Sequence, residues 1–184
     1  MTWLDLISIV LILAYAVGGF FSGVVRRLIG FIALYVAVLA ATNMGLQAGG
    51  ILQQTSNFET PDARIYGFFG IVAAVLIIVE GATQLAHNNI QIPALALNRS
   101  LGVIVGAITG VFLVVVCVYE LGAAANPFGG SSLDPLQVKI RDAYNGSHVI
   151  VPLATAIHKP IVGLFTPALP TDPQIYFGPG PVNP

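Results

Sequence analysis

Residues 23–30 read GVVRRLIG, and this stretch decides the fold because it separates two long apolar runs. Arg26 and Arg27 stand side by side in a chain that has only seven Lys and Arg residues. The run before them covers residues 3–25, and the run after them covers residues 28–46. Each run is long enough for a helix that crosses the roughly 30 Å hydrocarbon core of a bilayer. The arginine pair therefore falls in a very short link between two predicted membrane spans.

The composition of the whole chain supports this interpretation. The 184 residues are 56% hydrophobic and only 8% charged, and the mean hydropathy is +0.87. Soluble domains carry about 25% charged residues, so most of this surface is expected to face lipid. The net charge of −1 argues against a nucleic-acid partner, since such a partner calls for a basic face.

Two further apolar runs, residues 65–86 and 101–121, complete the prediction of four transmembrane helices. The runs are continuous rather than alternating, which favours helices that satisfy their own backbone hydrogen bonds in lipid. We therefore predict an all-α integral membrane protein with a small four-helix bundle in residues 1–125. Amphipathic helices at the membrane surface, folded against the bundle, are expected over residues 126–166. The apolar stripe of the second helix includes Ile150, Leu153, Ile157, Ile161 and Leu164, and Pro160 should kink or end that helix. A proline-rich extended tail is expected over residues 167–184, which contain six prolines and one charged residue.

The basic residues predict how the spans are oriented. Arg26 and Arg27 lie in the first link, and Arg99 lies in the link between the third and fourth spans. In a helical hairpin arrangement these two links share one side of the membrane, and short cytoplasmic loops carry the excess of Lys and Arg. The three residues are interpreted as topology anchors on the cytoplasmic side, with both termini predicted outside, in the periplasm or its equivalent. A lipid-headgroup or ligand site is the alternative interpretation.

Glycines recur at the spacing of a helix interface. The pattern GxxxG occurs in the fourth span at Gly102, Gly106 and Gly110, and near the end of the first span at Gly19 and Gly23. In lipid, close backbone approach over small residues carries helix association. The stripes are expected either to pack the bundle internally or to face a second copy or another membrane protein.

Glu80 is a carboxylate well inside the third span. A charged group at that depth costs a few kcal/mol, so it normally faces the bundle and has a partner, or is protonated. A buried polar tie is one interpretation of Glu80. A place in a proton or ion pathway is the other.

No motif indicates an enzyme. The chain has no GxSxG elbow and no Walker-type GxxxxGK[ST] loop. His87, His148 and His158 lack metal-ligand spacing. We therefore predict no catalytic, cofactor-binding or metal-binding residues.

Three stretches carry a resemblance to a known family. They are residues 3–41 (WLDLISIVLILAYAVGGFFSGVVRRLIGFIALYVAVLAA), 97–121 (LNRSLGVIVGAITGVFLVVVCVYEL) and 131–137 (SSLDPLQ). Their Trp-Leu-Asp start, Gly-rich turn with basic residues, Asn-Arg before Leu-Gly, and Ser-x-Leu-x-Pro-Leu patch resemble the bacterial colicin V production protein family. Where that family often has Asp before the arginine, this chain has Asn98, which weakens an ion-pair role there.

The resemblance implies a four-span inner-membrane protein that supports toxin or colicin production or export and envelope homeostasis. No catalytic residues are assigned to the family, so none are expected here. Some relatives carry a periplasmic serine protease domain after the four spans, and this sequence ends without one. Two alternatives remain: a small accessory subunit of a larger membrane complex, and a transporter or channel component with Glu80 in its path.

Overall fold

The computed structural model describes residues 1–56, 60–86, 95–125 and 135–166. Those residues form six α-helices and contain no strand, so the all-α prediction is confirmed for them. The helices are α1 (Trp3–Ser56), α2 (Thr60–Ala86), α3 (Leu95–Ala125), α4 (Pro135–Asn145), α5 (Ile150–Ala156) and α6 (His158–Phe165). The predicted proline-rich tail lies outside the described residues.

Helix α1 is broken at Gly23, where the backbone has φ 76° and ψ 172°. Residues with a Cβ rarely adopt this conformation, so the break requires glycine. Gly23 separates an N-terminal arm, residues 3–22, from a C-terminal arm, residues 24–56. The sequence prediction placed the link at Arg26 and Arg27. In the structure both arginines already belong to the first turn of the C-terminal arm, because the glycine takes up the whole turn.

The break reverses the direction of the chain. The contacts of the N-terminal arm with α3 run antiparallel and pair Gly19 with Gly102, Tyr15 with Gly106, and Ile12 with Gly110. In the C-terminal arm, Phe31 packs edge-on against Phe112 of α3, with ring centroids 5.3 Å apart. The two arms of α1 therefore form a helical hairpin, and both arms lie along α3.

Helix α2 packs against the C-terminal arm of α1 and has little contact with α3. A Cβ built at Gly67 would lie 2.7 Å from the carbonyl oxygen of Gly45, so the two backbones touch. Phe68 and Val72 are buried beside this contact. Helix α2 is thus an outer helix that extends the α1–α3 unit.

Helices α4 and α5 cover the end of the bundle where α1 begins and α3 ends, and α6 packs along the C-terminal arm of α1 and α3. Ile140 and Ala143 of α4 are buried there. A break at Ile157 separates α5 from α6, because Pro160 has no N–H to donate to the carbonyl oxygen of Ala156. The sequence had predicted a kink or an end at this proline.

Two helical stretches among the described residues are long and apolar enough to cross a membrane. They are Trp3–Gly45 in α1, with 43 residues, and Ala96–Ala123 in α3, with 28 residues. The apolar part of α2, Tyr66–Val79, is shorter.

Candidate functional site

The predicted glycine stripes face each other across the contact between α1 and α3. A Cβ at Gly19 would overlap the carbonyl oxygen of Gly102, and a Cβ at Gly102 would overlap that of Gly19. A Cβ at Gly106 would overlap the carbonyl oxygen of Tyr15. At Gly110 the nearest atom is the Cα of Ile12, at 2.9 Å. These glycine faces are therefore packed against each other within the chain.

Asn98 of α3 holds the turn at Gly23. The side-chain oxygen Oδ1 of Asn98 accepts a hydrogen bond from the backbone N–H of Val24, at 2.9 Å. The first amides of a helix have no partner within that helix, so Asn98 supplies an acceptor that the break removed. A Cβ at Gly23 would lie 2.5 Å from the Nδ2 atom of Asn98, which shows how closely the amide sits. The sequence alone did not reveal this role. The order of the motifs gave a signal, since the stretches at residues 3–41 and 97–121 each contain one half of this contact.

The three arginines lie at this end of the bundle, since Arg26 and Arg27 follow Gly23 and Arg99 follows Asn98. The Arg27 Nε–H donates to the Ser22 hydroxyl oxygen at 3.0 Å. The guanidinium carbon of Arg27 lies 5.4 Å from the ring centroid of Tyr15. The same distance separates Arg99 from the ring of Phe20.

Such cation–π contacts contribute about 0.5–1 kcal/mol at exposed sites. They hold the guanidinium groups of Arg27 and Arg99 against aromatic rings of the N-terminal arm. We call the group Gly23, Val24, Arg26, Arg27, Asn98 and Arg99 the turn end.

A second polar group lies at the opposite end of the bundle and centres on Asp5, whose side chain is 0% exposed. The backbone N–H of Thr2 donates to Asp5 Oδ2 at 2.9 Å, and the Asp5 N–H donates back to the Thr2 hydroxyl oxygen at 3.5 Å. This reciprocal pair is a capping box that starts α1.

Asp5 also joins the start of the chain to α5. Its Oδ1 atom accepts hydrogen bonds from the Ser147 hydroxyl and, at 3.1 Å, from the Ile150 N–H. Ser147 in turn accepts a hydrogen bond from the Val151 N–H at 3.1 Å. A buried carboxylate is tolerated when several donors satisfy it. We call Thr2, Asp5, Ser147 and Ile150 the Asp5 cluster.

Helix α4 is fixed to α3 by Tyr144. A Cβ at Gly122 would lie 2.8 Å from the Tyr144 ring, so the glycine makes room for it. Burial raises the pKa of the Tyr144 phenol above its ordinary value. Nearby, the Tyr119 hydroxyl donates to the carbonyl oxygen of Ala154 at 2.9 Å and ties α5 to α3.

Glu80 lies in α2, but its side chain is outside the described part of the structure. Its predicted partner or ion pathway therefore stays a prediction. Within the described residues no group of three or more His, Cys, Asp or Glu side chains could hold a metal ion.

In the described part of the chain, these features define an all-helical fold with a glycine-packed hairpin and two apolar helices of membrane-spanning length. A family model described as Colicin V production protein matches residues 4–139 of the 184-residue chain. The chain belongs to the colicin V production protein family, as its sequence motifs had suggested. Comparison with curated proteins and with solved structures gave no significant match.

The match includes both halves of the turn end and the predicted spans. It ends before Ser147 and Ile150, so the Asp5 cluster joins a matched residue to an unmatched segment.

Proposed function

We propose that this protein is a non-enzymatic, multi-pass protein of the bacterial inner membrane that supports the production or export of a toxin such as colicin V, and envelope homeostasis. The family match over residues 4–139 carries the proposal. In this view the lipid bilayer is the protein's main environment, and self-association or another membrane protein completes its assembly.

The exposed apolar side chains of the hairpin support a membrane location. In an 18-residue apolar part of α1, only 22% of the residues are buried, whereas the core helix of a soluble protein is mostly buried. The exposed side chains on the N-terminal arm and α3 include Leu6, Val10, Leu13, Val17, Leu101, Ile104 and Ile108. A contiguous apolar surface of this kind marks contact with lipid or a partner.

Four crossings follow if each arm of α1, helix α2 and helix α3 passes through the bilayer once. Roughly 20 helical residues cross the hydrocarbon core, and the 43-residue apolar stretch of α1 provides two such lengths around Gly23. The turn end then lies in the cytoplasm, because its arginines follow the positive-inside rule. Both termini lie on the periplasmic side.

Labelling intact cells with a membrane-impermeant maleimide tests the topology. In a Cys117→Ala background, we expect Asn145→Cys on α4 to react. We expect Ser100→Cys, exposed beside Arg99, to react only after permeabilisation. The reverse pattern would contradict the orientation, and equal labelling of both sites in intact cells would contradict the spans.

A deletion strain that carries a colicin V export system tests the biological role. We expect loss of the chain to lower toxin activity in the medium, and expression of the wild-type chain to restore it. Unchanged secretion would argue against the role. Native mass spectrometry of the gently purified protein adds a second readout, because a foreign protein in fixed stoichiometry would favour the accessory-subunit alternative.

A further inference from the structure

Helices α5 and α6 together run from one end of the bundle to near its middle. At the start of α5, the Ile150 N–H is bound to Asp5, two residues after the beginning of α1. At the beginning of α6, the His158 ring lies 4.8 Å from the ring of Tyr119, which is close to the end of the predicted span 101–121.

The end of α6 lies much deeper. Phe165 is 0% exposed and stacks on Tyr35, with ring centroids 4.9 Å apart and an interplanar angle of 20°. The Phe165 ring also lies 5.7 Å from the ring of Phe112. Phe112 is one residue from the midpoint of the span 101–121, and Tyr35 is two residues from the midpoint of 28–46. At 1.5 Å per helical residue, both lie within about 3 Å of mid-span.

We propose that α5 and α6 form a re-entrant segment, which enters the bilayer from the side of the Asp5 cluster and ends near mid-depth at Thr166. The inference rests on the proposed membrane-spanning arrangement. It replaces the expectation, drawn from the sequence, that this segment lies on the membrane surface.

The hydrogen bonds at the two ends of the segment fit this placement. In hydrocarbon every backbone polar group needs a partner within the protein. At the entry, Asp5 and Ser147 accept hydrogen bonds from the first amides of α5. At the deep end, the Tyr35 hydroxyl donates to the carbonyl oxygen of Leu164 at 2.7 Å. Thr166 donates to the carbonyl oxygen of Val162 from both its N–H and its hydroxyl, each at 3.1 Å.

The exposure of side chains along the segment also fits. Leu153 and Leu164 are 37% and 49% exposed, which suits residues that face lipid. Lys159 is exposed in the first turn of α6, next to His158 at the level of Tyr119. From there its long side chain reaches the headgroup region.

Depth-dependent fluorescence quenching tests the proposal on the full chain in vesicles. The single tryptophan, Trp3, is replaced by phenylalanine, and one new tryptophan is placed at a time. Leu164→Trp reports on the deep end, Val36→Trp reports on the middle of the predicted span 28–46, and Leu136→Trp reports on α4. All three leucine and valine side chains are at least 39% exposed, so each accepts the larger ring.

Lipids brominated near the acyl-chain end are compared with lipids brominated near the headgroup. We expect Leu164→Trp to give the same deep-to-shallow quenching ratio as Val36→Trp, and a blue-shifted emission relative to Leu136→Trp. Gly163→Trp, at a position with no other atom within 4 Å of a built Cβ, is the second variant should Leu164→Trp misfold.

Two results would overturn the proposal, and they can be told apart. If Leu164→Trp and Gly163→Trp resemble Leu136→Trp while Val36→Trp remains deep, the segment lies on the surface and only the re-entrant inference fails. If Val36→Trp is also shallow, the membrane-spanning arrangement itself fails.

Discussion

The two ends of the bundle are held together in different ways. At the turn end, the key contact joins Val24 and Asn98, which are 74 residues apart in the sequence. Both residues lie in the region matched by the family. In the Asp5 cluster, Asp5 and Ile150 are 145 residues apart, and only Asp5 lies in that region. The turn end thus lies within the region that the family shares. The Asp5 cluster attaches a further segment to that region.

The chemistry of the two ends also differs. Near the turn end, glycines let the helices approach so closely that their backbones touch. There, the Asn98 side chain accepts the hydrogen bond of a backbone N–H that the helix break leaves without a partner in its own helix. The opposite end uses a buried carboxylate that gathers donors from separate segments. A change of shape should therefore be most damaging in the glycine contact, and a change of charge should be most damaging in the Asp5 cluster.

Gly102→Ala is expected to have the largest effect. The added Cβ would overlap the carbonyl oxygen of Gly19, and neither backbone can move without separating the helices. Overpacking of this kind costs about 3 kcal/mol. The measurement is the free energy of unfolding in mixed micelles, followed by helical circular dichroism.

Gly30→Ala is the matched control for Gly102→Ala. It lies in the same hairpin, but a Cβ there has no atom within 4 Å. Alanine is the better helix former by about 1 kcal/mol, so this variant should be neutral or slightly more stable. Equal destabilisation by both changes would show that the glycine contact has no special weight.

Asp5→Asn is expected to have the next largest effect. The new amide would present N–H groups where Thr2, Ser147 and Ile150 already donate, so at least one donor would lose its acceptor. Hydrogen bonds to a charged group are worth about 1.5–3 kcal/mol, and we expect a loss of about 2 kcal/mol in the unfolding free energy. Amides at the start of α5 should also exchange faster with deuterium.

Asp142→Asn provides the control, because Asp142 is exposed on α4. It should leave both readouts unchanged. If the amides at the start of α5 exchanged as slowly in Asp5→Asn as in the wild type, the carboxylate would not be the group that anchors α5.

The sequence predicted the helical class, the apolar runs and the common end of the three arginines, because composition and hydrophobic length determine these features. It did not locate the turn. Gly18, Gly19, Gly23 and Gly30 all flank the arginines, and only packing against Asn98 selects Gly23. The role of Asp5 depends on a contact with Ser147 across 142 residues, which no local pattern encodes.

The packing of the end of α6 between Tyr35 and Phe112 could not be predicted for a related reason. Amphipathic spacing identifies an apolar face but does not say whether that face meets lipid or protein. On this segment Ile150 and Ile161 are buried, while Leu153 and Leu164 of the same predicted stripe are exposed. The stacking of Phe165 on Tyr35 joins residues from opposite ends of the chain.

Asn98→Ala should produce a smaller effect at the turn end. It removes the acceptor for the Val24 N–H and should cost about 1 kcal/mol. Deuterium exchange at Val24 should rise while exchange in α5 stays the same. Asn98→Asp retains the acceptor oxygen and should restore slow exchange at Val24. Asn145→Ala, at an exposed position on α4, should leave exchange at Val24 unchanged. Fast exchange in Asn98→Asp would mean that the amide group, rather than the oxygen, holds the turn.

The smallest expected effect comes from Tyr35→Phe. This change removes the hydroxyl that donates to the Leu164 carbonyl oxygen but keeps the ring that stacks on Phe165. Since one neutral hydrogen bond is lost, the global cost should be about 0.5 kcal/mol. The opening should be confined to α6, whose amides should exchange faster than those of α3. Tyr35→Ala, which also removes the stacking, should release α6 much further. If Tyr35→Phe and Tyr35→Ala gave the same exchange, the hydroxyl rather than the ring would be the main attachment of α6.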